Sequence, residues 1–583
     1  MIVQSLAHYY DAMLKRGAIS APGWGPASIS YAICLDAAGN VERFISTTCE
    51  TVIGKKTVLK PQTMTLPAAV KRSSGIAANF LWDTSSYILG VDQKGKPQRS
   101  IECFKAAAQL HHEVLDGVDS PAARAILMYF DKWKPENAQS ADALQGIFDD
   151  VTKGANITFR VDGEYAYNDE EIRAAWQSRQ SVGGDYARMQ CLVTGREDAI
   201  PNIHSAIKGV KDAQSSGAAL ISFNAPAFCS YGHEQNANAP VGRYAAFAYT
   251  TALNSLLADK NNVQHIGDMT VVCWAEDADA RYQRMGVSAL GGNAAAHGLT
   301  DNAVRAVLKN MARGVPAEGL DPSHKFCILG LAPNAARLSV RFFMHNTFGA
   351  LMKNISDHYD RLEIIRPDWA KDSLLTPWEM LRATVNLNSR DKVPSPVMAG
   401  SVMRAILDGG RYPASLLEGV MMRIRAERDI TWQRAAILKA YYLKNEHTDC
   451  PKEVLTVGLN EASTNTAYTL GRLFSVYEAA QQDANPGINA TIKDKYFNSA
   501  SAMPASIFPI LGNLYQKHLR KLGDGSRIYY DKQVAALKSI LGESYPQRMT
   551  LAQQGAFDLG YYHQTQKRYE KRNKETGYEK SRG

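Results

Sequence analysis

The chain has 583 residues, a net charge of +8, 45% hydrophobic and 21% charged residues. That length exceeds what one core usually serves, so two to four domains are expected, and the composition is that of a globular rather than a disordered protein. No apolar run approaches the ~20 residues that span a bilayer, and eight cysteines scattered without a C-x-x-C pair point to neither a zinc site nor a disulfide framework, which fits a reducing cytoplasm.

The opening stretch, MIVQSLAHYYDAMLKRG, places apolar residues at helical spacing without a basic leader, apolar run and cleavage site in order. It reads as a first helix rather than a signal peptide. Strand signals follow at Ile29 to Cys34 and Val41 to Ile45, around the turn AAGN, and at Ile157 to Val161 before the Asp162-Gly163 turn. A helix is expected over Ser100 to Leu115. A strand from Ala218 to Phe223 and a helix from Tyr244 to Leu257 come next, then strands at Met269 to Trp274, Phe326 to Leu331 and Arg337 to Phe343. Residues 1–395 thus read as an α+β region with mixed or antiparallel sheets and inserted helices. Beyond about Ser395 the strand signals stop. Helical periodicity continues through Leu416, Leu417, Val420 and Ile424, then Trp432, Ala435, Leu438 and Tyr441. After a break at Asp449 to Pro451 it resumes at Leu470, Leu473, Phe474 and Tyr477, at Ile507, Leu511, Leu514, Tyr515 and His518, and at Val534, Leu537 and Leu541. The expectation is a helical connector over 396–456 and an all-α bundle over 457–583.

Two polar segments stand out. Residues 210–254 offer few titratable groups, among them Asp212, His233, Glu234 and Arg243, but many amides: Gln214, Asn224, Gln235, Asn236 and Asn238. Amides donate and accept at once, which suits nucleobase edges, and Phe223, Phe228 and Tyr231 offer stacking faces. The plainer alternative is a Gly- and Asn-rich connection that only builds turns. The second segment, VKRSSGIAANFLWDTSSYILGVD over 70–92, opens with Lys71 and Arg72. Ser73, Ser74 and Gly75 follow, whose small size allows close backbone approach, then Asn79 and Phe80, with Trp82 and Tyr87 expected to pack behind. That order suits a reader of phosphate and base edge, or equally a basic loop entering a buried strand.

Charge is unevenly placed. From Ala484 to the end, sixteen Lys and Arg face eight Asp and Glu, so this portion holds the whole positive surplus and points to a polyanion. Lys493 and Lys495 lie beside Tyr496 and Phe497, and Lys517, Arg520 and Lys521 follow Tyr515. Such interleaving serves phosphate contact and base stacking, or a solvated helix face with its rings turned inward.

Catalytic patterns are missing. The sequence holds no G-x-x-x-x-G-K-[ST], H-E-x-x-H or G-x-S-x-G, and no G-x-G-x-x-G after a strand. His111-His112-Glu113 lies in AAAQLHHEVLDG, a helical context that sends adjacent histidines to different faces, so it reads as structural; His345-Asn346 reads as a turn. No metal, no cofactor and no enzymatic activity are expected.

Several blocks together resemble one family: KRSSGIAANFLWD with YILGVD, QCLVTG at Gln190 to Gly195, IKGVKDAQSSGAALISFNAPAFCSYGHEQNANAPV at Ile207 to Val241, LGLAPNAARLSVRFF at Leu329 to Phe343, and NTAYTLGRLFSVYEAAQ with NATIKDKYF. The chain resembles the large subunit of the type I-C CRISPR surveillance complex, the Csd-type Cascade protein, from its first helix to Gly560-Tyr561-Tyr562-His563. The resemblance implies a non-catalytic cytoplasmic subunit that recognises the motif flanking the protospacer in double-stranded DNA, helps open the duplex, guides the displaced strand and recruits a helicase-nuclease. Its implied partners are target DNA, CRISPR RNA, repeated backbone subunits, a handle-capping subunit and small subunits. The resemblance also implies that the helical C-terminus, from near Val457, is made a second time from an internal start as such a small subunit.

Residue chemistry and resemblance combine into a site expectation. Lys71, Arg72, Ser73, Ser74 and Asn79, with Gln214, Ser215, Ser216, Asn224, Tyr231, Gln235 and Asn236, are expected to read the flanking motif. Lys208, Lys211, Lys493, Lys495, Lys517, Arg520 and Lys521 are expected on the DNA backbone and displaced strand. Two other classes differ in behaviour. A stand-alone single-strand binder would grip DNA without sister subunits, and a nuclease would cut with Mg²⁺ or Mn²⁺, for which clustered carboxylates are lacking.

Overall fold

A computed structural model describes residues 1–583 except 54–55, 71–74, 94–95, 183–186, 224, 293–297, 318, 371–373, 391 and 581–583, and describes the backbone alone at 51–53, 56–58, 180–182 and 571–580. The chain divides into two units, each made of discontinuous segments. An N-terminal unit holds Tyr10–Ile203 and Ala225–Ala248; a C-terminal unit holds Met1–Tyr9, His204–Asn224 and Tyr249–Gly583.

The N-terminal unit is built on a mixed sheet. Strand Tyr31–Leu35 pairs antiparallel with Val41–Ser46 and parallel with Asn156–Val161. Asn156–Val161 also takes Trp82–Thr84 and Glu164–Tyr165 antiparallel. The last pairing follows from Asp162-Gly163, whose φ values of 49° and 87° are those of a type I′ hairpin turn. Parallel neighbours need a long crossover; here it includes the helices Pro97–Leu115 and Pro121–Lys132. The second helix starts where Ser120 Oγ accepts from Ala123 N at 3.2 Å ahead of a first-turn proline, a strong start signal. Phe80, Phe104, Tyr129, Phe130 and Phe159 meet in the core, with buried His111 between the rings of Phe80 and Phe130.

The C-terminal unit contains a four-stranded antiparallel sheet, Val263–Ile266, Met269–Ala275, Lys325–Asn334 and Arg337–Thr347 in that order. All seven residues of Met269–Ala275 are buried, so the strand is covered on both faces. One hydrophobic cluster runs from Ile266 to Tyr562, passing 396 and 457 without a break in packing. Within it, helix Thr466–Ala484 buries every residue from Ala467 to Ala480, the mark of a helix surrounded on all sides. Gly471 and Gly560 let it cross helix Leu551–Lys580 backbone to backbone, since a Cβ at either would run into the carbonyl of Phe557 or of Tyr468. On another side, Tyr442 of helix Trp432–Asn445 fills the space above Gly555, where a Cβ would come within 2.7 Å of the ring. Among the described residues no helix is long and apolar enough to cross a membrane.

Two local expectations fail. Residues 218–223 do not form a strand: Ala218 bridges Ile207, and Ala219 bridges Arg337, the first residue of the last strand, with no further pairing among the described residues. His345 and Asn346 are not a turn but continue the strand to Thr347, because Lys325 pairs with Thr347 after a bulge at Gly330/Leu331 absorbs one residue. His345 Nε2 lies 2.8 Å from Glu276 Oε1.

Candidate nucleic-acid interface

In the C-terminal unit, residues 208–217 form a hairpin closed at its base by the Ile207–Ala218 bridge. Its backbone is held by side chains from elsewhere. Asn254 Oδ1 accepts from Lys208 N at 2.8 Å while Asn254 Nδ2 donates to Ala206 O at 3.1 Å, and Thr270 Oγ1 accepts from Lys211 N at 3.0 Å. Val210 is buried beneath. Gly217 N closes a turn on Gln214 O at 2.9 Å; its φ is +97° and a Cβ there would stand 2.9 Å from Ile207 O, so only glycine fits. What faces outward is Lys208, Lys211, Asp212, Gln214, Ser215 and Ser216, all exposed. Asn224 lies outside the described residues.

In the N-terminal unit, residues 225–241 use their amides differently. Asn236 is 1% exposed and its Nδ2 donates to Pro201 O at 2.7 Å. Asn238 accepts from Ser230 N at 2.7 Å and donates to the carbonyls of His233 and Gln235 at 3.1 and 2.9 Å. The QCLVTG turn seats the end of this loop: Leu192 N donates to Pro240 O at 2.9 Å, and Cys191 Sγ accepts from Gly242 N at 3.1 Å. Tyr231 and Gly232, φ 54° and 73°, sit at the centre of a turn closed by His233 N to Ser230 O at 3.0 Å. A bulky residue there is strained, yet the Tyr231 side chain is fully exposed, and Phe228 is partly so. Gln235 is exposed beside them.

The other polar segment of that unit behaves like the second loop. Lys71, Arg72, Ser73 and Ser74 lie outside the described residues, but both flanks are fixed. Asn79, 4% exposed, accepts from Val70 N at 2.8 Å, and its own N–H donates to Asp83 Oδ2 at 2.8 Å. Leu81, at φ 61°, gives its N–H to His111 Nε2 at 3.0 Å, while His111 Nδ1 bonds Ala107 O at 2.7 Å. That pattern requires a neutral imidazole with its proton on Nδ1, and burial pushes the His111 pKa down to about 4. Trp82 and Tyr87 are buried as expected. Asn79 and Asn236 therefore staple their own loops, and their side chains face into the protein.

The C-terminal cations divide as well. Lys493 is half-buried, 3.6 Å from Asp429 and over the Tyr561 ring at 5.2 Å. Lys495 is exposed, with its ammonium 5.2 Å from the Tyr496 ring centre. Lys517, Arg520 and Lys521 gather, exposed, at the C-terminal end of helix Pro504–Leu519, where cations also complement the helix dipole; Lys521 Nζ reaches Asn485 Oδ1 at 2.9 Å. Sequence reasoning read His111 as structural, as it is, and missed the bracing residues Asn254 and Thr270. They carry no local signal, because each acts on backbone far away in sequence.

Residues 6–569 match the family described as CRISPR-associated protein (Cas_Csd1). No curated relative matches the chain.

Proposed function

The chain belongs to the CRISPR-associated Csd1 family, and from that premise we propose that it is the non-catalytic large subunit of an RNA-guided complex. In this reading it inspects the motif flanking the target in double-stranded DNA, assists duplex opening, receives the displaced strand and presents a surface to a helicase-nuclease. Guide RNA pairing reads the sequence, and the protein reads only the short flank.

The observation that carries the reading is the hairpin at 208–217. Groups that read base edges must project, and the backbone beneath them must be ordered before binding, since ordering on contact costs affinity. Asn254 and Thr270 meet the second demand; Gln214, Ser215 and Ser216 at an exposed tip meet the first. Lys208 and Lys211 suit the neighbouring phosphates. The strained, exposed Tyr231 is a second contact by stacking, and Lys517, Arg520 and Lys521 a third, on the strand backbone.

The test uses the complex assembled with guide RNA and sister subunits, at fixed salt, on duplexes with matching and scrambled flanks. Gln214→Ala should narrow the affinity difference between the two by about 1–3 kcal/mol, while Lys211→Ala weakens both and lowers the salt slope by about one unit. Discrimination and slope both unchanged in these variants would sink the reading.

A further inference from the structure

A cavity of about 870 Å³ opens in the C-terminal unit among helices Thr466–Ala484, Asp524–Ile540 and Leu551–Lys580. Three cations line it, Arg472, Lys567 and Arg568, against the carboxylates of Glu461 and Asp483; Lys567 Nζ also lies 3.6 Å from Glu570 Oε2. Asp483 is already engaged, by Arg568 at 2.6 Å and by the Tyr530 hydroxyl. Glu461 stands exposed. Arg472 is only 7% exposed. Its Nε donates to Gln564 Oε1 at 3.2 Å and its Nη1 to the carbonyls of Asn460 and Glu461 at 3.4 and 3.5 Å, all neutral acceptors.

A guanidinium taken out of water needs an anion to offset its lost hydration; burial pulls the Arg472 pKa below its usual range, and the exposed Glu461 carboxylate offsets that only in part. The rest of the wall is not that of a bare anion site. Tyr529 presents a ring 42% exposed, Gln533 an amide, and Val476 and Leu537 an apolar surface. The volume lies within the roughly 300–1,000 Å³ of small-ligand sites. We propose that this cavity binds a nucleotide, with its phosphate drawn to Arg472 and Lys567 and its base laid on Tyr529 within reach of Gln533. Inorganic phosphate would use the cations and leave the ring and amide idle. The nucleotide comes either free or swung out from a single strand, and the recognising chemistry is the same. The proposal stands apart from the flanking-motif reading, on different residues.

The purified full chain is titrated with mant-AMP, with a short single-stranded DNA carrying 2-aminopurine, and with inorganic phosphate as competitor. Saturable binding is expected, weakened about tenfold or more by Arg472→Gln. Ala536→Trp should abolish it by filling the cavity from an exposed position, which keeps the test valid if the arginine variant fails to fold. A signal from the strand alone, lost in Ala536→Trp, identifies the strand as the source of the nucleotide. The proposal is overturned by no saturable signal from either probe, by binding indifferent to Ala536→Trp, or by inorganic phosphate competing as well as unlabelled AMP.

Discussion

The loop at 225–241 and the hairpin at 208–217 share a composition of small residues, hydroxyls and amides, yet spend it in opposite ways. In the loop, Asn236 and Asn238 turn inward and tie the backbone to itself and to Pro201. In the hairpin, the tie is made by Asn254 and Thr270 from other elements, so Gln214, Ser215 and Ser216 stay at the surface. Whether an amide turns inward or stays at the surface is decided by what else braces the main chain. Asn79 sides with the loop by holding Val70, and His111 holds Leu81 just beyond it.

The largest test of that contrast is at His111. Its pKa is lowered from an ordinary 6.5 to about 4, so the unfolded chain binds the extra proton first as pH falls. The stability it supplies is complete above about pH 6.5 and is lost on descending toward 4, a change of about 3 kcal/mol. His111→Gln should flatten the pH dependence of the unfolding free energy across that window; an identical slope would remove His111 from the brace. Next comes Asn236→Ala, which leaves the Pro201 carbonyl without its donor and should lower stability by about 2 kcal/mol in denaturant titration. Asn254→Ala should cost about 1 kcal/mol and speed amide exchange at Lys208 without altering the hairpin's surface chemistry. The smallest effect is expected for Gln214→Ala, under about 0.5 kcal/mol on stability. If it destabilised the fold as much as Asn236→Ala, the distinction between inward and outward amides would collapse.

Much of the architecture was legible because its signals are local. Asp162-Gly163 specifies a hairpin, and the apolar run of Met269–Ala275 specifies a buried strand. The helical repeats after residue 395 appear as helices such as Ala414–Glu427 and Trp432–Asn445. Side-chain direction in the polar segments was not legible. Asn79 and Gln214 look alike in sequence, and only partners such as Asp83 or Asn254, fixed by the folded chain, separate them. The discontinuous units were equally hidden, because residues 204–224 leave one and join the other without a change in composition. One local signal does mark the wall of the cavity: Arg472 is a single cation inside the otherwise uncharged run TAYTLGRLFSVY.

The seating of Tyr442 over Gly555 bears on any polypeptide begun near Val457. Such a piece would keep the glycine crossing of its two longest helices but lose Trp432–Asn445 and the ring that caps the notch. It would enter solution with an open socket lined by a bare helix backbone, and its first requirement would be an aromatic plug supplied by a neighbour or by another copy of itself.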